Sequence, residues 1–288
     1  MPERGGGGAE TTADAVAPRF ESGACDTHIH FYDRHHRAAS TALLHPADAG
    51  LDDYREFQAE LGLARVVVVQ PTTYGLDNQC QLERVSELGA DARAVVVVDD
   101  TVSNARLTEL TALGARGARF HMLPGGAVPW SIMDEVARRI EPFGWHIQLQ
   151  LGGRELAGRL RQLEALPTPL VVDHMGLFTP PVEPDHESFR ALSRLLARGG
   201  CWVKLSAPYL SSVDGPPTYA DAGRVARALV AAAPERMVWA SNWPHPGWDD
   251  PPSPRRLGAL FADWVPDAST RRMILTSNPA ELYGFDPP

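Results

Sequence analysis

The run Arg65-Val66-Val67-Val68-Val69-Gln70 puts four β-branched apolar residues in unbroken succession before a single amide side chain. A strand with one wet face alternates apolar and polar residues; an unbroken run belongs to a strand covered on both faces, as in a parallel sheet between helices. Val95-Val96-Val97-Val98 repeats the pattern one strand-plus-helix period later. Working outward, short apolar or β-branched runs recur at 24–28, 65–70, 94–98, 117–120, 146–149, 170–173, 202–205 and 237–240. Between them lie patterns with helical spacing at 53–61, 79–88, 104–113, 132–140, 154–166, 188–198 and 220–233. Several open on Asp, Ser or Asn and close on Gly, as helix caps do. Eight strand runs with seven helical patterns between them predict an α/β fold, a single-domain (β/α)8 TIM barrel. A doubly wound open sheet is disfavoured, because no Gly-x-Gly-x-x-Gly turn follows the first strand.

Composition narrows the function. The 288 residues are 44% hydrophobic and 22% charged, which suits one large core. A formal net charge of -9 argues against nucleic acid or an anionic membrane as partner. No apolar run approaches the ~18 residues that span a bilayer. Met1 to Ala9 is Gly-rich and polar, unlike a secretory leader, and residues 1–20 read as a disordered lead-in before a barrel over 21–288. Cys25, Cys80 and Cys201 are odd in number and widely spaced, which fits free thiols in a reducing cytoplasm. Of the 27 Lys and Arg residues only Lys204 is lysine. Assembly into a homo-oligomer is left open.

In a barrel the polar loops after each strand gather at one mouth, where active sites sit. Here that gathers His28 and His30, Gln70 with Tyr74, Arg119 with His121, Gln148 and Gln150, Asp173 with His174, Lys204 with Ser206, and Asn242 with His245. Each taken singly could be a satisfied core residue or a turn residue; together they are the expected site. Three imidazoles, those of His28, His30 and His174, could hold one divalent ion, zinc by ligand type. The Arg119 guanidinium at the same mouth opposes a cation, so a metal-free site is expected.

Asp26-Thr27-His28-Ile29-His30, Val171-Val172-Asp173-His174-Met175-Gly176, Val203-Lys204-Leu205-Ser206-Ala207, Trp243-Pro244-His245-Pro246 and Asn278-Pro279-Ala280-Glu281-Leu282-Tyr283 resemble motifs of the amidohydrolase-related lactonase group of the amidohydrolase superfamily. The resemblance runs from about residue 24 to 286. Gln70-Pro71-Thr72-Thr73-Tyr74-Gly75, residues 117–126 and Ser241-Asn242-Trp243 are similar to lactone-isomerising members. In metal-dependent relatives His-x-His is joined by lysine on the fourth strand, histidines on the fifth and sixth, and aspartate on the eighth. This chain departs from that pattern with Arg119 and His121, with Gln148 and Gln150, and with Asn242, keeping only His174. The resemblance implies a small anionic substrate, the lactone of an aldaric acid, moved between its 1,5- and 1,4-forms without a metal. His28, His30, His174 and Asn242 would be catalytic; Gln70, Tyr74, Arg119, Gln148, Lys204 and His245 would bind substrate. Hydrolysis of a carboxylated lactone, or metal-dependent hydrolysis, are the alternatives.

Overall fold

Eight parallel strands run in sequence order: β1 (Cys25–Ile29), β2 (Arg65–Val69), β3 (Ala92–Val96), β4 (Ala115–His121), β5 (His146–Gln150), β6 (Leu170–Val172), β7 (Cys201–Leu205) and β8 (Met237–Trp239). The computed structural model describes residues 19–286. Helices α1 (Leu51–Leu61), α2 (Gln79–Leu88), α3 (Asn104–Ala112), α4 (Met133–Ile140), α5 (Leu156–Glu164), α6 (Glu187–Ala197), α7 (Ala220–Ala232) and α8 (Pro254–Trp264) follow the strands in turn; α9 (Ala268–Arg272) and α10 (Asn278–Tyr283) end the chain. This is a (β/α)8 barrel. No helix among the described residues is long and apolar enough to cross a membrane.

The valine runs behave as their pattern demands. Val66 and Val68 pack into the large cluster beneath the helices, while Val67 and Val69 join Cys25, Val95, Tyr283 and Phe285 in a second cluster. All four β2 valines are buried, so neither face tolerates a polar residue. Strand β3 begins and ends two residues earlier than its sequence suggests. Asn78 is the cause: its amide accepts from Val97 N at 2.8 Å and donates to Val97 O at 2.8 Å, replacing a neighbouring strand. Helix α8 was hidden by its Pro252-Ser253-Pro254 start; Ser253 caps it by accepting from Arg256 N at 3.2 Å, and Pro254 fits the first turn.

The expected lead-in, residues 1–20, lies outside the described residues except for its last two. Phe20 stacks edge-on to Trp239 at 5.0 Å and donates its N–H to Leu61 O at 2.7 Å, so it belongs to the folded body. Cys25, Cys80 and Cys201 are buried and free.

Strands β8 and β1 meet through few main-chain bonds. Asn242 N donates to His28 O at 3.0 Å, and His30 N to Trp243 O at 2.9 Å. Side chains add to the seam: Thr27 Oγ1 donates to Trp239 O at 2.8 Å, and the buried Asp26 carboxylate takes Ser241 N at 2.9 Å together with the Ser241 hydroxyl. Burial pushes the Asp26 carboxyl up to about 6 despite these bonds.

Candidate active site

Side chains two apart on a strand share a face. On β4 and β5 the register pairs Gly117 with His146, Arg119 with Gln148, and His121 with Gln150, a polar ladder of three rungs. Gly117 is required at the lowest rung, since a Cβ there would lie 2.4 Å from the His146 ring. The upper rungs, with the ends of β1, β6, β7 and β8, form two layers.

The lower layer is sealed. Lys204 Nζ donates to Thr27 O at 2.7 Å and to Gln148 Oε1 at 2.7 Å. It lies 3.3 Å from His28 Nδ1 and 3.6 Å from Asp173 Oδ1, and the Lys204 and Asp173 side chains are fully buried. Gln148 Nε2 donates to Asp173 Oδ2 at 3.1 Å, so one amide touches both charges. Burial lowers Lys204 to about 8, with Asp173 opposing the shift. Burial alone would raise the Asp173 carboxyl; His28 and the Lys204 ammonium outweigh it and hold it well below the usual carboxylate range. Burial, helped by Lys204, pushes His28 well below the usual imidazole value.

The upper layer lines a pocket formed by His30, Tyr32, Thr72, Arg119, His121, Gln150, His174, Leu210 and Asn242, among others. His30 Nδ1 sits 2.7 Å from Val69 O, and its Nε2 meets His28 Nε2 at 3.1 Å. His174 Nδ1 pairs with Ser206 Oγ at 2.9 Å, and burial lowers its pKa to about 4. Burial and Arg119 hold His30 well below its ordinary value and bring His121 to about 3. The imidazoles of this mouth are therefore neutral bases near pH 7.

Arg119 is buried among them. Its guanidinium donates to Gln70 O at 2.7 Å and to Gln150 Oε1 at 2.7 Å, while Nε has no partner. It forms no ion pair among the described residues. Asn242 turns toward the pocket from a left-handed backbone (φ 65°), and its Nδ2 donates to Tyr209 Oη at 2.9 Å. Tyr209 Oη in turn lies 2.8 Å from His245 Nδ1, and burial brings His245 to about 4.

The structure thus brings His30, His174, Asn242 and Arg119 to one pocket, with His28 directly behind. The remaining expected residues stand one step back. The Gln70 side chain donates to Gly75 O and Asp77 O at 3.1 and 2.8 Å, shaping the β2 loop. Tyr74 Oη accepts from Asp33 N at 2.9 Å and donates to Asp33 O at 3.1 Å. Gln148 and Lys204 lie in the sealed layer, and His245 lies behind Tyr209. Sequence reasoning missed Tyr32 and Tyr209. Nothing but their place in loops after β1 and β7 marks them. Trp243 packs against Phe31 and Tyr54 at 5.7 and 5.2 Å, as a loop-packing residue.

Ligand-type side chains are present for a metal: His28, Asp173 and His174 group with donor atoms within 4.8 Å of one another. The charges around them are adverse. An ammonium stands 3.3 Å from His28 Nδ1, and a buried guanidinium with no acidic partner lies in the same pocket. A divalent cation would enter a site already holding two buried positive charges against one carboxylate, which does not suit it.

A (β/α)8 barrel with a histidine pair at the end of its first strand and a polar pocket at the mouth above it has the layout of a barrel enzyme. The chain belongs to the Amidohydrolase family, whose model matches residues 25–285. It is 36% identical to D-galactarolactone isomerase of Agrobacterium fabrum over 278 residues, covering 95% of each chain. It is 32% identical to a 2-pyrone-4,6-dicarboxylate hydrolase of Comamonas testosteroni, covering 94% of each. Among solved structures, an apo crystal structure from Agrobacterium tumefaciens superposes with a TM-score of 0.89 at 37% identity, covering 94% of this chain and 99% of that one. The chain is accordingly an amidohydrolase-superfamily enzyme with lactone-processing relatives.

Proposed function

We propose that the enzyme isomerises an aldaric acid lactone from its 1,5- to its 1,4-form, as a D-galactarolactone isomerase does, without a metal. The observation that carries this reading is Arg119, a buried guanidinium with an unpartnered Nε and no acidic partner, in a pocket of neutral imidazoles. A carboxylate on the substrate supplies the missing anion, gripped by charge-assisted bonds.

The reaction needs no water. The substrate's O4 hydroxyl attacks the C1 carbonyl, the O4–C1 bond forms and the C1–O5 bond breaks. One proton leaves O4 and one arrives at O5. His174 suits the transfer: it is neutral at pH 7, and Ser206 holds its Nδ1, leaving Nε2 for the pocket. His30, backed by His28, polarises the carbonyl. Asn242, its Nδ2 held by Tyr209, offers its carbonyl oxygen to a substrate hydroxyl. An amide at 242 deprotonates nothing, which favours an attacking group already on the substrate, where effective molarity is high. Gln70, Tyr74, Gln148, Lys204 and His245 act at one remove, fixing Arg119, the β2 loop, His28 and Tyr209.

Metal independence rests on the Lys204 and Arg119 charges beside the histidines. The buried free thiols suit a reducing compartment, the cytoplasm.

The test is proton NMR of freshly generated galactaro-1,5-lactone with chelator-treated and untreated enzyme. The 1,4-lactone is expected at equal rates in both. Open-chain diacid as the first product would establish a lactone hydrolase instead, and activity confined to the untreated sample would establish a metal enzyme.

A further inference from the structure

We propose that Lys204 is the resident cation of this site: its ammonium fixes the proton of His28 on Nε2 and thereby keeps the His28–His30 pair from binding a divalent metal. This deepens the metal-free reading above and rests on it.

The proton assignment follows from which neighbours can donate. Val69 O only accepts, so at 2.7 Å it requires the hydrogen of His30 on Nδ1, leaving His30 Nε2 a bare lone pair. His28 Nε2 stands 3.1 Å away, and two bare lone pairs at that distance repel. The contact is a bond when His28 carries its hydrogen on Nε2. His28 Nδ1 must then accept. The ammonium of Lys204 at 3.3 Å can donate to it, with the Gln148 amide Nε2 a longer second donor at 3.5 Å, whereas the Asp173 carboxylate at 3.3 Å cannot. Asp173 Oδ1 lies 3.3 Å from the same nitrogen, and the ammonium 3.6 Å from that oxygen offsets the repulsion between the carboxylate and the bare Nδ1.

A metal-binding histidine usually has the opposite polarity. Its far nitrogen donates to a carboxylate or carbonyl, and the near nitrogen gives its lone pair to the ion. His30 is already arranged that way, through Val69 O. His28 has the carboxylate it would need in Asp173, yet Lys204 stands between that arrangement and the one observed. The ammonium is no accident of packing. Lys204 is the sole lysine of the chain, fully buried, and two oxygens at 2.7 Å are aimed at it, one of them on Gln148, whose other end binds Asp173. Removing the charge while keeping the volume frees His28 Nδ1–H to turn to Asp173 and exposes the Nε2 lone pair. His28 Nε2 and His30 Nε2 would then face a common point, with His174 on the same pocket wall.

Lys204→Met is the direct test, with zinc content measured after purification and zinc affinity by calorimetry on chelator-treated protein. The variant is expected to take up one zinc per chain with affinity roughly 100-fold or more above wild type, as loss of a nearby positive charge predicts. Lys204→Met with His28→Ala should lose that zinc again. A folded Lys204→Met protein that binds zinc no better than wild type overturns the proposal. If that variant does not fold, the wild-type chain decides: with ¹⁵N-labelled histidine, His28 should give the NMR pattern of a neutral ring protonated on Nε2 near pH 7. A ring protonated on Nδ1 overturns the proposal. Failure of the functional reading looks different: a zinc-free wild type inactive on galactarolactone, beside a zinc-binding variant, refutes the substrate and leaves the role of Lys204 standing. Stoichiometric zinc in active wild type refutes both.

Discussion

Asp173→Asn removes the only carboxylate within 4 Å of the Lys204 ammonium among the described residues, and its cost can be worked from two quantities. The first is the direct attraction. Two unit charges 3.6 Å apart in surroundings of effective dielectric ~20 attract by about 4–5 kcal/mol, which caps the loss. The second is the escape route. Wild-type Lys204 holds its proton up to about pH 8, and a lysine robbed of its anion sheds its proton rather than stay charged. The net cost is then the cost of deprotonating Lys204, roughly 1.4 kcal/mol for each pH unit below 8. The sign follows: the folded variant binds fewer protons than folded wild type below that pH, so it loses ground as pH falls. Urea unfolding of both proteins at pH 6, 7 and 9 should give losses of about 3, about 1 and near 0 kcal/mol. A loss that does not change with pH would mean that Asp173 acts only as a neutral hydrogen-bond acceptor. A loss that grows toward pH 9 would refute the charge pairing altogether.

Replacing Arg119 by Met should lower kcat/KM by about 100-fold or more, since two charge-assisted bonds at ~1.5–3 kcal/mol each are lost; its bonds to Gln70 O and Gln150 Oε1 go as well, so the melting temperature should fall, and an unchanged kcat/KM of the folded variant would remove the guanidinium from substrate binding. Asn242→Asp restores a carboxylate base, and NMR should then detect open-chain diacid beside the 1,4-lactone; a variant that still forms the 1,4-lactone alone would count against the role given to the amide. His121 and His146 are lowered by burial to about 3, His174 and His245 to about 4, so between pH 6.5 and 4 the unfolded chain binds protons that the folded one refuses. Asp26, raised to about 6, opposes this, while His28 and His30, held low by burial, add to it, so stability should fall steadily from about pH 6 toward pH 4. Urea midpoints that stay level from pH 7 to 5 would show that these imidazoles are not buried as neutral groups.

Strand positions were legible because burial on both faces leaves a direct trace in residue type, as at Val66 to Val69. Strand ends were less so. Asn78 closes β3 by a side-chain bond to Val97 across eighteen intervening residues, and no local pattern announces it. The site was legible at the level of which residues reach the mouth: His30, His174, Arg119 and Asn242 all do. Depth was not legible. Lys204 and Gln148 end in a sealed layer because their strands' registers place them one rung below Ser206 and Gln150, and register is set by the whole sheet. Tyr209 escaped notice because a tyrosine in a Pro-rich loop looks like any other until its hydroxyl is seen between Asn242 and His245.

The seam between β8 and β1 has a consequence for synthesis. His28 and His30 leave the ribosome early, yet the backbone oxygen of His28 and the N–H of His30 are bonded by Asn242 and Trp243, more than two hundred residues later. Until those residues emerge, the sheet cannot close and the pocket lacks the wall that carries Asn242. The segment that follows β8 therefore closes the sheet and the pocket together. A chain truncated before Ser241 should be both catalytically silent and prone to pair its open edges with a neighbouring copy.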